Sequence, residues 1–327
     1  MGIDTWFDLA SLTKPLVTAS LCCVAVRDGI FALDDSIRQF FPVETLPPEK
    51  REITIRQLLA HCSGLPAYKP WYRDLIRIPP ERRSAVLLSR ILETPLLSTP
   101  GRVSCYSDLG FLLLGLMLQN VLGAPLDELA YRFLFRPHGV EELRFLRLKT
   151  GCDPALPPEN PDSGSLEFAA TERCPWRQRL LEGEVHDEHA FCLDGVAGHA
   201  GLFGTARGVF RMLSPLWQTY HGTGPDGLEL QQLLHSFWAR QESVKGSTWA
   251  LGFDTPSGTG SSSGNYFSAK SIGHLGFTGT SFWLDLDRDV LLILLTNRVH
   301  PTRDHERMKI FRPLVHNLVM ETLYDLT

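Results

Sequence analysis

Residues 7–29 read FDLASLTKPLVTASLCCVAVRDG, and the parsing of this stretch decides the fold. The run from 16 to 26 is apolar on nearly every face, the pattern of a helix enclosed by protein rather than lying on a surface. Arg27, Asp28 and Gly29 then supply a polar stop, with the glycine just past the last turn, where a left-handed backbone is favoured. Pro15 breaks a helix interior but is tolerated in a first turn, where the N–H it lacks has no intrahelical acceptor. A buried helix therefore starts near Ser11, and Ser11 stands at its N-terminal end. Lys14, three residues on, shares its face. An ammonium there lowers the cost of deprotonating the hydroxyl, and helix-terminal N–H groups stabilise charge developing beside it. A serine three residues before a lysine arises about once by chance in a chain of this size, and none of the other six lysines has one.

The 327 residues are 43% hydrophobic and 21% charged, a balance that builds a large core and excludes a disordered chain. Lys and Arg total 32 against 37 Asp and Glu, a net charge of −5. No basic excess is available for a phosphate backbone, so no nucleic-acid partner is expected. The longest apolar runs, FLLLGLML at 111–118 and VLLILL at 290–295, are far too short to span a bilayer. Seven cysteines without metal-ligand spacing read mostly as small buried thiols. Together with the absence of a basic and apolar leader in MGIDTWFDLASLTK, they favour a cytoplasmic location.

From 33 to 143 proline-punctuated helical segments predominate, including 109–121 and 126–135. Residues 150–200 read as a long ordered loop system, 205–217 as a helix, and SGTGSSSGN at 257–265 as a mobile loop. Runs 280–286 and 290–296 flank Asp287-Arg288-Asp289, an antiparallel hairpin, and 310–323 return to helical periodicity. There is no internal repeat. The expected architecture is α/β (α+β): an antiparallel sheet built from the extreme N-terminus and the C-terminal hairpin (1–30 and 241–327), and a mostly helical region over 31–240, with the site between them.

Two further segments carry chemistry. Tyr106-Ser107-Asp108 follows the Pro100-Gly101 turn and opens a helix. A phenol beside an ammonium serves as a base near neutrality, because the cation favours the phenolate; taken alone, the segment equally fits a buried tyrosine with a helix cap. His274-Leu275-Gly276-Phe277-Thr278-Gly279 precedes the hairpin, and the Phe277 N–H, flanked by glycines, is placed to pair with that of Ser11 as an oxyanion hole. His199-Ala200-Gly201 is a competing copy, set aside because it is read as leading into a helix. His186-Asp187-Glu188-His189, with His199 nearby, is expected to shape the cleft wall through hydrogen bonds; its spacing matches no helix-borne zinc motif, and no metal is expected. Asp285–Asp289 resembles a calcium loop but lacks the downstream Gly and Glu and reads as a turn.

The order SxxK, Tyr-Ser-Asp, His-x-Gly resembles the serine hydrolases of the class C β-lactamase and penicillin-binding-protein-like family. LLAHCSGLP (58–66), PGRVSCYSDLGFLLLG (100–115), GLFGTA (201–206) and GHLGFTGTSFWLD (273–285) extend the likeness over nearly the whole chain. CPWRQRLLEGEVHDEHAF, GVAGHAGLFGTA, FDTPSGTGSSSG and TNRVHPTR look most like a branch that includes N-acetylmuramoyl-L-alanine amidases. The resemblance implies a β-lactamase/transpeptidase-like fold. It makes Ser11 the acylated nucleophile, Lys14 its activating partner, Tyr106 the proton shuttle, and the Ser11 and Phe277 amides the oxyanion hole. His274 would act where relatives carry lysine, still donating a hydrogen bond but holding less charge, and Asp108, Gly276 and Thr278 would contact substrate. Asp108 stands where asparagine is common and Leu275 where threonine is common. With His274, these departures point away from an anionic β-lactam. The implied reaction is acyl transfer to water on a small amide or ester, or on a muropeptide, without metal or organic cofactor. The alternatives are a catalytically silent binding protein derived from the family, and a penicillin-binding carboxypeptidase or β-lactamase. Relatives place several dozen residues, a helix and strands, before the nucleophile; with Ser11 this early, an unpaired strand edge and an open apolar helix face are expected.

Overall fold

The computed structural model describes all residues except 43, 45, 149–153, 155–165, 225–226, 259 and 325–327. Ten α-helices are distinguished among the described residues: α1 (Ser20–Arg27), α2 (Ile55–Leu59), α3 (Tyr72–Leu75), α4 (Pro80–Glu93), α5 (Asp108–Leu122), α6 (Leu126–Ala130), α7 (Glu188–Cys192), α8 (Ala206–Tyr220), α9 (Leu228–Trp238) and α10 (Met308–Tyr324). The strands are β1 (Phe7–Asp8), β2 (Leu143–Phe145), β3 (Arg173–Cys174), β4 (Arg179–Leu180), β5 (Leu202–Gly204), β6 (Ile272–Leu275), β7 (Ser281–Asp285) and β8 (Val290–Leu294). They form three antiparallel sheets, ordered β1-β5-β2, β3-β4 and β6-β7-β8.

The segment after β1 folds in three steps. Ala10–Leu12 is a tight 3-10 turn, Lys14–Ala19 winds as a wider π-type helix that takes Pro15 in its first turn, and α1 continues to Arg27. Leu12, Leu16, Val17, Leu21 and Cys22 are completely buried. The stop at Arg27 is as expected: Gly29 has φ +67°. Ser107 caps α5, accepting a hydrogen bond from the Gly110 N–H at 3.1 Å. This helix buries Leu109, Phe111, Leu112, Leu113, Leu114, Met117 and Leu118 around its circumference and forms the centre of the core. No single helix among the described residues is long and apolar enough to cross a membrane.

One expectation about the sheets is corrected. The N-terminal strand does not join the C-terminal hairpin: Phe7 and Asp8 pair with Gly204 and Phe203 of β5. The two regions meet instead through side chains, since the turn between β6 and β7 sends the Thr278 and Thr280 hydroxyls to the carbonyls of Asp8 and Leu9 at 2.7 and 3.1 Å. The His199-Ala200-Gly201 segment leads first into β5, and only then into α8. The Asp285–Asp289 turn is organised as read: Asp285 accepts the N–H groups of Asp287 and Arg288. β8 has no ladder partner along its outer edge among the described residues, and α10 turns Ile310, Leu314 and Leu318 to solvent while Met320 packs inward on Phe267, Trp283 and Leu292. Cys152 and part of the 150–200 and 257–265 segments lie outside the described residues.

A tight steric constraint lies between α5 and the loop before β5. A Cβ on Gly198 would sit 2.2 Å from the Phe111 carbonyl oxygen and 2.9 Å from the Cα of Gly115. The Gly198 carbonyl also accepts the Thr18 hydroxyl at 2.6 Å, tying loop to nucleophile segment. Gly198→Ala is therefore expected to cost about 1–3 kcal/mol through overpacking and to lower the melting temperature by several degrees in scanning calorimetry; an unchanged transition would show that this backbone contact is not needed.

Candidate active site

The site is assembled on a strained turn. Ala10 adopts φ +48°, an uncommon conformation for a residue with a side chain. It is held there by the buried Asp8, whose Oδ1 accepts the Ala10 N–H at 2.8 Å and whose Oδ2 accepts the His186 N–H at 2.7 Å. Asp8 thus fixes the turn before Ser11 and ties it to the opposite cleft wall. Gly276 comes in from the other side, where a Cβ would meet the Thr280 hydroxyl at 2.0 Å and the Leu9 carbonyl at 2.8 Å. Only glycine permits this approach.

Beneath Ser11 the Lys14 side chain is fully buried. Its Nζ donates to Ser11 Oγ at 3.0 Å and to the His199 carbonyl at 3.1 Å, and lies 2.7 Å from Asp108 Oδ1. That carboxylate contact is an ion pair with poor hydrogen-bond alignment. The ammonium also sits 4.9 Å from the centroid of the Tyr106 ring, and the Tyr106 hydroxyl is shared between Lys14 and Ser11. Burial pushes the Lys14 pKa down, but Asp108 and then Tyr106 outweigh it, leaving the value above the ordinary one. Burial, reinforced by Asp108, raises the phenol of Tyr106 against the opposing pull of Lys14. The resting pair is therefore an ammonium and a neutral phenol.

Ser11, Tyr106, Asp108, His274, Gly276 and Phe277 line one cleft of about 1060 Å³, with Lys14 below its floor. Thr278 is not among them: its hydroxyl is buried and given to the Asp8 carbonyl, so its expected substrate contact is corrected to a strut between hairpin and nucleophile turn. The Phe277 N–H engages no partner among the described residues. His274 also differs from expectation. Its Nδ1–H goes to the Leu275 carbonyl at 2.9 Å, which leaves Nε2 as a buried acceptor without a partner among the described residues. Burial, and secondarily the Lys14 ammonium, push its pKa down to about 3. The ring presents a lone pair rather than the expected donor, and it is neutral.

Positive charge enters the cleft elsewhere. Arg312 of α10 is buried against it, donating to the Thr280 carbonyl at 3.2 Å, with Nε unpartnered and no carboxylate partner among the described residues. Burial and then Arg298 push its pKa down to about 10. Arg298 lies beside it, 4.4 Å from the Phe277 ring centroid and bonded to backbone carbonyls. The departures at His274 and Leu275 therefore do not leave the cleft without cations.

Several positioning residues were not singled out in the sequence. His61, at φ +53°, accepts the Ser107 N–H at 3.0 Å on Nδ1 and packs against Tyr106, Phe111 and Trp249. Burial, then Lys14 and His274, hold it well below its ordinary pKa, so it is a neutral prop for the Tyr106 loop. Asp254 lines the cleft, and burial raises its carboxyl to about 6 against hydrogen bonds from Thr248 and Thr255. The wall at 186–189 is clamped by Arg177, which is fully buried and donates to the Val185 and His186 carbonyls at 2.6 and 2.9 Å while pairing with Glu184. Arg303, which also lines the cleft, bridges Glu172 and Glu188. Asp187, His189 and His199 are the group here with metal-ligand atoms close together.

Residues 1–317 match the family described as Beta-lactamase. A protein of Escherichia coli (strain K12) named "Putative D-alanyl-D-alanine carboxypeptidase" is 28% identical over 314 residues, covering 93% of this chain and 71% of that protein. Among solved structures, simvastatin synthase (LovD) from Aspergillus terreus superposes with TM-score 0.69 at 18% identity, covering 100% of this chain and 86% of that one. EstCE1, described as a hydrolase with promiscuous acyltransferase activity, gives 0.65 at 21% identity, with 96% and 86% covered. These likenesses share the β-lactamase/transpeptidase-like α+β fold. The chain belongs to the Beta-lactamase family of serine hydrolases.

Proposed function

We propose that the chain hydrolyses an amide or ester through an acyl-enzyme on Ser11. The observation that carries this reading is the buried Lys14 ammonium, 3.0 Å from Ser11 Oγ and 2.7 Å from Asp108. Such a buried cation is retained at a cost in desolvation, offset here by three acceptors. In the form of the pair that has lost one proton, the Tyr106 phenolate beside the Lys14 ammonium takes the hydroxyl proton as Ser11 Oγ attacks the carbonyl carbon; the Ser11 and Phe277 N–H groups receive the oxyanion, and on collapse Tyr106 passes that proton to the leaving group. Water then enters by the same route and releases the acid. The neutral His274 Nε2 accepts a hydrogen bond from a substrate N–H or O–H. The cleft volume suits an extended substrate of the muropeptide class as well as a small ester.

A second reading concerns the substrate. Arg312, buried without a carboxylate of its own among the described residues, favours a substrate ending in a free carboxylate, as in the carboxypeptidase reaction that the name of the Escherichia coli relative describes. The free serine, lysine and tyrosine constellation argues against a silent scaffold.

Three outcomes are expected. A fluorophosphonate probe adds once to the intact chain by mass spectrometry, and the adduct disappears in Ser11→Ala with the circular dichroism spectrum unchanged; labelling that survives would remove Ser11 from the nucleophile role. Asp108 raises both the Lys14 and the Tyr106 pKa, so Asp108→Asn lowers both and moves the rising alkaline limb of kcat/KM for a chromogenic ester to lower pH, by about one unit or more. A limb that stays in place would mean that this pair does not set the rate. Arg312→Gln should raise KM about tenfold or more for peptides with a free C-terminal carboxylate while sparing their amidated forms; equal effects on both would dismiss the carboxylate reading.

A further inference from the structure

Opposite Ser11, the cleft wall carries three potential metal ligands on two separate pieces of chain. Asp187 caps α7, with Oδ1 accepting the Ala190 N–H at 2.8 Å. His189 lies on α7, and His199 comes from the loop before β5. Each offers one ligand atom, and these atoms lie within 4.8 Å of one another. We propose that Asp187, His189 and His199 form a binding site for a divalent transition-metal ion of the zinc class, open on one side to the cleft.

The hydrogen-bond accounting points the same way. His189 and His199 are each 1% exposed. Yet His189 Nε2 has no hydrogen-bond partner among the described residues. Buried imidazole nitrogens are ordinarily satisfied, and one that is not carries a desolvation cost. His199 Nε2 already stands 2.9 Å from Asp187 Oδ1. Ligands around a tetrahedral zinc, at about 2.0–2.2 Å from the ion, are separated by roughly 3.4 Å, so closure asks mainly for a movement of the His189 ring. That ring makes edge contacts with Tyr68 and Tyr72 at 5.2 and 5.9 Å between centroids.

Two imidazoles and one carboxylate select a borderline ion such as zinc or cobalt over magnesium or calcium, which prefer oxygen alone. The supporting residues are in place: Arg177 fixes the backbone at 185 and 186, and Asp8 fixes the N–H of His186. Asp187 and His199 both line the cleft. The remaining coordination position therefore faces whatever occupies the cleft, be it water or an anionic group of the substrate.

The test uses the full chain freed of metal by a chelator and titrated with cobalt(II), followed by visible ligand-field absorption. One cobalt per chain with a four-coordinate spectrum is expected. His189→Ala, checked for an unchanged thermal transition, is expected to lose at least about 100-fold in affinity, since loss of even an outer-shell partner typically costs 10–100-fold. No saturable spectrum in the unaltered chain, or unchanged affinity in the variant, overturns the proposal. Crystals of the unaltered chain grown with zinc provide a measurement independent of any variant: an anomalous peak between the three side chains supports the site, and its absence there overturns it.

Discussion

The site depends on one buried charge. Lys14 has no exposure to water, so its ammonium persists only because Ser11 Oγ, the His199 carbonyl and Asp108 surround it. Each of those partners is delivered by a different element. Ser11 arrives on the turn that Asp8 holds, His199 on the loop that Gly198 lets approach α5, and Asp108 on the first turn of α5 itself. The packing of α5 against the nucleophile segment is therefore also the assembly of an electrostatic cage. Misplacing any one wall would leave a cation in the core without compensation.

The same cage shows which group holds the proton at rest. A carboxylate at position 108 adds negative charge beside both Lys14 and Tyr106, so both keep their protons more firmly than burial and mutual attraction alone would dictate. The neutral His274 adds no competing cation. Positive charge at the cleft comes instead from the C-terminal helix, at Arg312. The Lys14 cage and this second cation are thus carried by separate parts of the chain.

Much of this was legible in the sequence because it is local. The helix stop at Gly29, the cap at Ser107, the hairpin at 281–294 and the spacing of Ser11 and Lys14 all depend on neighbours within a few residues. The two-residue β1 is too short for alternation to reveal its partner, so its pairing with β5 was not readable. Thr278 is expected to contact substrate only from the family resemblance, and its actual acceptor, the Asp8 carbonyl, lies 270 positions away. His274 was read as a donor because nothing in the sequence shows that its N–H is taken by the carbonyl of its own neighbour. Asp8 did leave a signal: an aspartate two residues before the N–H it binds is the pattern of an Asx turn. His61, Arg177 and Arg312 left none, since their partners come from elsewhere in the chain.

Residue 199 serves two tasks with two different parts of itself. Its carbonyl closes the cage around Lys14, and its ring faces Asp187 across the wall. Side-chain exchange at this position leaves the peptide group in place, so the wall can change without removing an acceptor from the Lys14 cage. The reverse edit has no equivalent, because no amino-acid exchange removes a carbonyl. For anyone redesigning this cleft, an exchange at position 199 alters the wall and its contact with Asp187 but leaves the backbone acceptor in place.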